Sequence, residues 1–477
     1  MASIHKWEGF AADRHIHEGP VLRLIDPKRY QEFLSRQRRE VMGRCGSMNP
    51  EDIESCLARG GFRGLERALR EMGPEQVVEE VKRAGLRDRT AEGPSTAARW
   101  ETYRRVPPLT PVVVSTRMEG FAEAWMERKL LEEDPFALIE GLTITAYALG
   151  AEAGGIVEIP SAYQPLAFRR MSRALKAARA RRLLGRHILG TSYSFDLEIR
   201  ETEGQGLRTP ESASLICSAC ARSIFDLEGP GKDEVSKRPE WPAPFYMNNV
   251  ETYLNIPLIL AKGAAWFSQV GDRNAPGTKI FALTGKTSHP CLIEAPIGST
   301  LNDLLGMADG DDPGLTGELK AFQMGGPAGG IFPSSFRTTP MDFDSLAHIG
   351  WKMGSGYIVL LDEKICTVEM ARYSLGQVIG QACERCHPCL QALRNILAIL
   401  SRLCQGLGED GDLETLEVLA GHIRSRGRCN LALAGALPVE TSLRYFRDEY
   451  EAHLKRRCPA RFCRDLAQAD PAFRLAA

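Results

Sequence analysis

The sequence lacks any long hydrophobic run. No uncharged stretch approaches the roughly 18 residues that a membrane-spanning helix needs, so no direct membrane insertion is expected. The segment Met1–Glu8 has no apolar core, so no signal peptide is predicted. We therefore expect a cytoplasmic protein in a reducing compartment, where thiols bind metals or stay buried rather than form disulfides.

An excess of charge of either sign is also missing. The 477 residues include 60 Lys and Arg and 61 Asp and Glu, which leaves a net charge of −1. This balance gives no electrostatic reason to expect nucleic acid as a partner. Ser–His–Asp, metalloprotease and Walker motifs are absent, so no catalytic residue is assigned. The length is sufficient for two to four domains.

Cysteine is abundant, with thirteen residues, and three of them form the sequence's most informative motif. Cys383, Cys386 and Cys389 have the spacing C-x2-C-x2-C, which brings three thiolates to three corners of a 4Fe–4S cluster. Cys429 is the best candidate for the fourth ligand. A zinc site and a group of unrelated buried thiols are the alternatives, but zinc sites more often pair two separate knuckles.

The chain alternates helix and strand signals. Residues up to about 85 have helix-start signatures, and residues 111–160 follow a strand–helix–strand pattern that predicts a parallel sheet. A basic helix is expected at 168–186, where we favour a solvated face over a surface for docking a partner. A β-rich unit is expected at about 278–335, and a helical region with the cysteine motif from about 367.

These features together resemble the flavoprotein subunit of bacterial NADH dehydrogenase, respiratory complex I, and its relatives in NAD-linked hydrogenases and formate dehydrogenases. The resemblance covers roughly residues 55–455. Besides the four cysteines, it is carried by NNVET at 248–252, GGPAGG at 325–330, GSG at 354–356 and SLRYFRDEY at 442–450.

The resemblance implies an α/β fold with a Rossmann-like flavoprotein-type domain, a ubiquitin-like β-grasp insert and a C-terminal helical iron–sulfur bundle. The expected domains are a helical region at 1–85, an α/β domain at 86–270, a β-grasp domain at 271–345 and a 4Fe–4S domain at 346–477. The expected partners are a thioredoxin-like 2Fe–2S subunit and a large multi-cluster iron–sulfur subunit.

The flavin-binding segments of that family are altered here. The glycine-rich FMN loop is replaced at 87–100 by RDRTAEGPSTAARW, and only glycine lets a backbone close tightly on a phosphate. Three further segments also differ, at 116–123, 160–163 and 217–221. Arg87, Gly93, Glu119 and Asn248 mark the degenerate site, and we expect FMN to be absent.

The remaining cysteines have two interpretations. Cys217 and Cys220 form a C-x2-C pair where the flavin would lie, and a second metal site with Cys458 and Cys463 is one hypothesis. We favour the simpler one, in which the pair fills space left by the flavin. The following are interpreted as buried small hydrophobes: Cys45, Cys56, Cys291, Cys366 and Cys404.

The sequence therefore predicts a non-flavin electron-transfer and assembly subunit that carries one 4Fe–4S cluster. An active FMN-dependent NADH:acceptor oxidoreductase subunit is the first alternative. A purely structural subunit with a redox-silent cluster is the second.

Overall fold

The computed structural model describes most of the chain. The described residues are 27–90, 92–105, 113–117, 125–151, 154–159, 164–201, 245–287, 290–309, 318–380, 387–426, 430–463 and 466. None of the helices in these residues is long and apolar enough to cross a membrane.

Helices and strands are numbered here within the described residues. The helices are α1 (Pro27–Ser35), α2 (Ile53–Ala58), α3 (Arg63–Glu71), α4 (Pro74–Ala84), α5 (Thr96–Arg104), α6 (Trp125–Glu133), α7 (Pro135–Leu149), α8 (Pro165–Ala180), α9 (Val250–Lys262), α10 (Ala264–Phe267), α11 (Leu301–Asp309), α12 (Phe343–His348), α13 (Thr367–Gly380), α14 (His387–Cys404), α15 (Asp412–Arg426), α16 (Asn430–Tyr445) and α17 (Arg447–Leu454). The strands are β1 (Val113–Arg117), β2 (Gly155–Ile159), β3 (Leu197–Glu201), β4 (Phe245–Asn248), β5 (Gly271–Asp272), β6 (Ala275–Pro276), β7 (Thr278–Gly285), β8 (Cys291–Pro296), β9 (Leu319–Met324), β10 (Gly330–Pro333) and β11 (Tyr357–Asp362).

The first sheet is parallel, as the strand–helix–strand pattern predicts. Its strand order is β3-β2-β1-β4, and every neighbouring pair runs in the same direction. All five residues of β2 are buried, which is typical of a parallel strand covered on both faces.

Helix α7 follows its sequence signals closely. Asp134 caps it by accepting a hydrogen bond from the Ala137 amide, and Pro135 occupies the first helical position, where no amide is needed. Gly150 ends it in a left-handed conformation with φ of 66°. The helix of the predicted strand–helix–strand pattern at 111–160 is therefore confirmed.

At Gly141, helix α7 lies against the backbone of α9. A Cβ atom there would collide with the carbonyl oxygen of Tyr253. We expect Gly141→Ala to lower the free energy of unfolding by about 1–3 kcal/mol, because the two helices must separate. Gly376→Ala in α13 is the control, since its Cβ meets no atom within 4 Å. It should raise stability by about 0.5–1 kcal/mol through helix propensity. Urea-unfolding midpoints of the two variants test this prediction. Equal stabilities would show that a Cβ at Gly141 does not force the two helices apart.

The N-terminal helices share one hydrophobic core with the first sheet. Leu65 of α3, Val77 of α4 and Leu138 of α7 are among its fully buried residues. The buried carboxylate of Glu140 accepts hydrogen bonds from the amides of Phe62 (2.8 Å) and Leu65 (3.1 Å), at the start of α3. The predicted helices between residues 50 and 85 are confirmed.

The second sheet is mixed. Its order is β10-β9-β11-β7-β8, in which β7 and β11 are parallel and the other pairs are antiparallel. Helix α11 packs on it through Leu301 and Leu304. Strand β11 joins this sheet although it follows residue 345, because it pairs with β7 and β9. The domain limits given above remain predictions.

The basic helix is shorter than predicted. Helix α8 ends at Ala180 rather than near Arg186, and Arg182 adopts a left-handed conformation with φ of 53° just beyond it. Arg173 forms an ion pair with Glu51, and Arg179 pairs with Asp196 at 2.9 Å. These basic side chains therefore meet acidic groups of the same chain, which agrees with the solvated-face interpretation.

Candidate functional site

The loop between α4 and α5 contains the altered flavin-binding motif, and it is closed by its own hydrogen bonds. The Asp88 amide donates to the Pro94 carbonyl at 2.8 Å, and the Thr96 amide donates to the Leu86 carbonyl at 3.0 Å. The Arg89 amide donates to the Thr252 hydroxyl at 2.7 Å. These three amides therefore have protein acceptors and are not directed at a ligand.

Asp88 places a negative charge inside this loop. It is fully buried and accepts a hydrogen bond from the Thr96 hydroxyl at 2.5 Å. It also forms an ion pair with Arg99, whose guanidinium donates to the Met247 carbonyl at 3.0 Å. Burial lowers the pKa of Arg99, but Asp88, Tyr246 and Tyr103 together raise it above its usual value, so this guanidinium stays charged.

Arg89 fastens the loop to the second sheet. Its side chain is fully buried and donates to the carbonyls of Arg87 (2.8 Å), Pro276 (2.8 Å) and Thr278 (3.0 Å). Burial lowers the pKa of Arg89 to about 10, which still leaves it protonated at neutral pH. This cation is bonded to backbone oxygens of its own loop, of β6 and of the start of β7.

Arg87 and Gly93 close the other side of the loop. The Arg87 guanidinium donates to the Gly93 carbonyl at 2.5 Å, pairs with Asp344 at 2.8 Å and lies 4.7 Å above the Phe343 ring. Gly93 has a φ of +55°, and a Cβ there would lie 2.6 Å from that ring. Only glycine fits this position without displacing Phe343.

Asn248 lies at the end of β4 and is buried. Its amide nitrogen donates to the Tyr246 hydroxyl at 3.0 Å, and its oxygen accepts from the Asn249 amide at 2.9 Å. Asn249 caps α9 and donates to the Arg89 carbonyl at 2.7 Å, so this segment and the loop are in contact. Glu119 and the Cys217–Cys220 pair lie outside the described residues.

Glu251 and Lys279 form a fully buried ion pair that joins α9 to the second sheet. Glu251 also accepts a hydrogen bond from the Ile280 amide at 2.7 Å. The Lys279 ammonium also donates to the Ser355 carbonyl at 3.1 Å. The sequence identified Glu251 only as part of the NNVET signature at 248–252. Its ion pair with Lys279 is visible only in the three-dimensional structure.

The predicted 4Fe–4S ligands fall largely outside the described residues. Cys383, Cys386 and Cys429 lie there, and Cys389 is on α14 without a described side chain. The surrounding helices are described. A Cβ on Gly435 of α16 would lie 2.8 Å from Val378 of α13 and 3.4 Å from Leu393 of α14.

This contact locates the helix ends that flank the cysteines. Gly435 and Leu393 each lie five or six residues after the start of their helices, and Val378 lies two residues before the end of α13. At about 1.5 Å per residue, all three ends fall within about 10 Å of the contact along their axes. The described helix ends that flank the predicted ligands therefore lie at the same end of the bundle.

A second group of metal-ligand side chains lies within the described residues of the helical region. Cys366, His453, Cys458 and Cys463 are all buried, and one ligand atom from each lies within 4.8 Å of the others. Cys366 directly precedes α13, His453 is on α17, and the other two cysteines follow α17. The interpretation of Cys366 as a buried hydrophobe is therefore incomplete.

The imidazole of His453 is oriented by its own helix. Its Nδ1 lies 2.6 Å from the Glu449 carbonyl oxygen, and a carbonyl only accepts, so Nδ1 carries the proton. In the neutral imidazole, Nε2 then carries the lone pair, and it faces the sulfurs of Cys366 (3.4 Å) and Cys463 (3.5 Å). This is the tautomer in which Nε2 acts as a metal ligand.

Sequence reasoning missed this group because its first member is distant. Cys366 precedes His453 by 87 residues. The local pattern H-x4-C-x4-C at 453–463 is the signal that was present. Only its two cysteines entered a hypothesis, the less favoured one of a second metal site with Cys217 and Cys220. In the structure the partners of Cys458 and Cys463 are Cys366 and His453.

Comparisons with known proteins agree with this architecture. Residues 81–258 match the Nuo51 FMN-binding domain, and residues 369–453 match the NADH-ubiquinone oxidoreductase-F iron–sulfur binding region. The second match contains all four predicted cluster ligands, so the chain has a 4Fe–4S binding region.

The fold is that of a solved hydrogenase component. Two structures of NAD+-reducing [NiFe]-hydrogenase, in the H2-reduced and air-oxidized states, superpose with a TM-score of 0.67 at 22% and 24% identity. Each match covers 88% of this chain and 67% of the other.

Curated relatives are more similar in sequence. The HndC component of the NADP-reducing hydrogenase of Solidesulfovibrio fructosivorans is 35% identical, over 90% of this chain and 86% of the relative. One of the F subunits of NADH-quinone oxidoreductase in Rhizobium meliloti is 34% identical, over 84% and 94%. The corresponding F subunit in Escherichia coli is 30% identical, over 85% and 90%. The chain belongs to the family of NADH-quinone oxidoreductase F subunits, which are components of oxidoreductase complexes.

Proposed function

We propose that this chain is a flavin-free electron-relay and assembly subunit of a multi-subunit oxidoreductase. Cys383, Cys386, Cys389 and Cys429 would hold one 4Fe–4S cluster, which when bound accepts and passes on single electrons. The convergence of the ends of α13, α14 and α16 supports this ligand set, because these ends adjoin the two segments, 381–386 and 427–429, that contain three of the four cysteines.

The observation that carries the flavin-free part is the closed loop at 86–96. A phosphate needs unpaired amides in a positive field, as at an open glycine-rich loop. Here the amides of Asp88, Arg89 and Thr96 are bonded within the protein, and the carboxylates of Asp88 and Glu92 lie in the same loop. The bonded amides disfavour the FMN phosphate at this position, whereas each carboxylate is already paired with a cation, Arg99 or Lys352.

Finer features of the fold belong to the same proposal. We infer that the second sheet with α11 is a β-grasp domain, because its outer strands enclose a parallel pair and a helix covers one face. The helices from α13 onward would form the iron–sulfur bundle. The first sheet would be a Rossmann-like scaffold retained without its cofactors.

The proposed partners follow from the relatives. Those relatives are named as subunits of hydrogenases and quinone oxidoreductases, so a cluster in this chain would exchange electrons with clusters of neighbouring subunits. A thioredoxin-like 2Fe–2S subunit and a large multi-cluster iron–sulfur subunit are the proposed neighbours. Without flavin, the chain would perform no substrate chemistry of its own.

A second candidate function is an FMN-dependent NADH:acceptor oxidoreductase. The match of residues 81–258 to an FMN-binding domain favours it. It requires the loop at 86–96 to open and to release the Arg89 and Thr96 amides. A redox-silent structural cluster is a further alternative, in which Cys429→Ser would leave assembly and electron flow unchanged.

Flavin titration tests the proposal directly. Anaerobically purified protein is dialysed against FMN, and NADH-dependent ferricyanide reduction is then measured, with a flavodoxin as the positive control for FMN retention. The proposal predicts no FMN above the level in the buffer and no NADH-dependent rate. Retention of about one FMN per chain, together with NADH-dependent reduction, would replace it with the second candidate.

A further inference from the structure

We propose that Cys366, His453, Cys458 and Cys463 bind a zinc ion, at a site separate from the 4Fe–4S segment. The four ligand atoms lie within 4.8 Å of one another, and all four residues are buried. Three thiolates and one imidazole form a donor set that is typical of structural zinc sites. None of the four belongs to the set of cysteines that the 4Fe–4S motif uses.

The spacing of the ligand atoms fits a single ion. In a tetrahedral site with Zn–S distances of about 2.3 Å, neighbouring sulfurs lie about 3.8 Å apart. The observed Nε2–Sγ distances of His453, 3.4 Å to Cys366 and 3.5 Å to Cys463, have this scale. A 4Fe–4S cluster spreads its ligands more widely, because each binds a different iron atom.

Neighbouring groups orient the ligand atoms of this site for binding a cation. The Nδ1–H of His453 is held by the Glu449 carbonyl, which leaves Nε2 free to coordinate. Cys366 lies at the N-terminus of α13 and accepts a hydrogen bond from the Glu369 amide at 3.4 Å. A bound metal cation would compensate the charge of three buried thiolates, which could not all be ionised there without one.

Two non-glycine residues between the last three ligands adopt left-handed backbone conformations. Helix α17 ends in a Schellman motif, with the Arg456 amide bonded to the His453 carbonyl (3.0 Å) and the Arg457 amide bonded to the Ala452 carbonyl (2.9 Å). Arg456 occupies the left-handed position, φ 57°, where glycine is usual. Arg461 is also left-handed, φ 52°, two residues before Cys463. A metal bond to each flanking cysteine would hold such conformations in place.

A competing set of ligands fits less well. Glu369, Cys404 and Cys463 also lie close together. However, both carboxylate oxygens of Glu369 already accept from the Arg372 guanidinium at 2.7 Å, so this carboxylate is engaged. We therefore place Cys404 beside the site rather than in it.

The site would be structural. Four protein ligands leave no open coordination position for a substrate. The ion would join the start of α13, the end of α17 and the turn at 458–463. Helix α13 leads into the segment with the cluster cysteines, so zinc would fix the C-terminal turn to the helix that precedes that segment.

The first test uses the unmodified full chain, expressed in medium with added zinc and purified anaerobically without chelator. Metal analysis should find about one zinc per chain in addition to iron, and zinc-edge X-ray absorption should give three sulfurs at about 2.3 Å and one nitrogen at about 2.0 Å. X-ray absorption is specific to the element, so cluster iron does not interfere. Protein without zinc, or zinc bound only by oxygen and nitrogen, would overturn the proposal.

Variants assign the ligands. Cys458→Ser should lower zinc at least tenfold while iron is retained, because the two ligand sets are disjoint. Cys404→Ala is the matched control and should keep both metals. If Cys404→Ala loses zinc while Cys458→Ser keeps it, the competing set holds the ion and this assignment is wrong. The measurement on unmodified protein stands even where a variant fails to fold.

Discussion

Replacing Cys386 by serine is expected to lower the bound iron from about four atoms per chain to below about one. Cys386 is the middle ligand of the C-x2-C-x2-C run, and its loss would leave one iron corner without a protein thiolate. Iron and acid-labile sulfide, measured on anaerobically purified protein, give the result together with the loss of the broad visible absorption.

The control for this variant is Cys291→Ser. Cys291 begins β8 of the second sheet, far along the chain from the cysteine motif. It should keep the full iron content. If Cys386→Ser also kept its iron, the ligand assignment would be wrong, whatever the role of the protein in its complex.

Replacing Lys279 by methionine is expected to lower the free energy of unfolding by roughly 3–5 kcal/mol. The pair with Glu251 is fully buried, so the variant leaves a carboxylate inside the protein without its cation. The Ile280 amide would remain its hydrogen-bond partner and the buried Arg89 would still attract it, but the direct ion pair would be lost. The shift of the urea-unfolding midpoint measures the loss.

The double variant Glu251→Gln/Lys279→Met is the matched control. It removes both charges and keeps an acceptor for the Ile280 amide, so it should recover at least half of the stability lost in the single variant. A single variant as stable as the original protein would show that the pair contributes nothing to the junction between α9 and the second sheet.

Much of the fold was predictable from local sequence signals. Pro74 and Pro135 mark the first turns of α4 and α7, and Gly150 ends α7. The strands at β2 and β7 were predicted from β-branched and apolar residues. The early end of α8 was not, because its sequence continues in helix-forming residues and the left-handed position after it is occupied by Arg182 instead of glycine.

The two candidate metal sites also differ in how far the sequence predicts them. The cysteines at 383–389 are close in sequence, so their spacing alone predicts a cluster. The group of Cys366 with His453 is assembled by packing of α13 against α17, and no local pattern connects residues so far apart. Likewise, the hydrogen bonds that close the loop at 86–96 involve Thr252 and Pro276, which no reading of that loop alone identifies.

The most direct test of the central claim is the flavin and iron content of anaerobically purified protein, measured by its absorption spectrum and by acid extraction. The account predicts about four irons in the cluster and no FMN. Stoichiometric FMN, released on acid extraction, would contradict it and would assign an NADH-oxidising role to this protein.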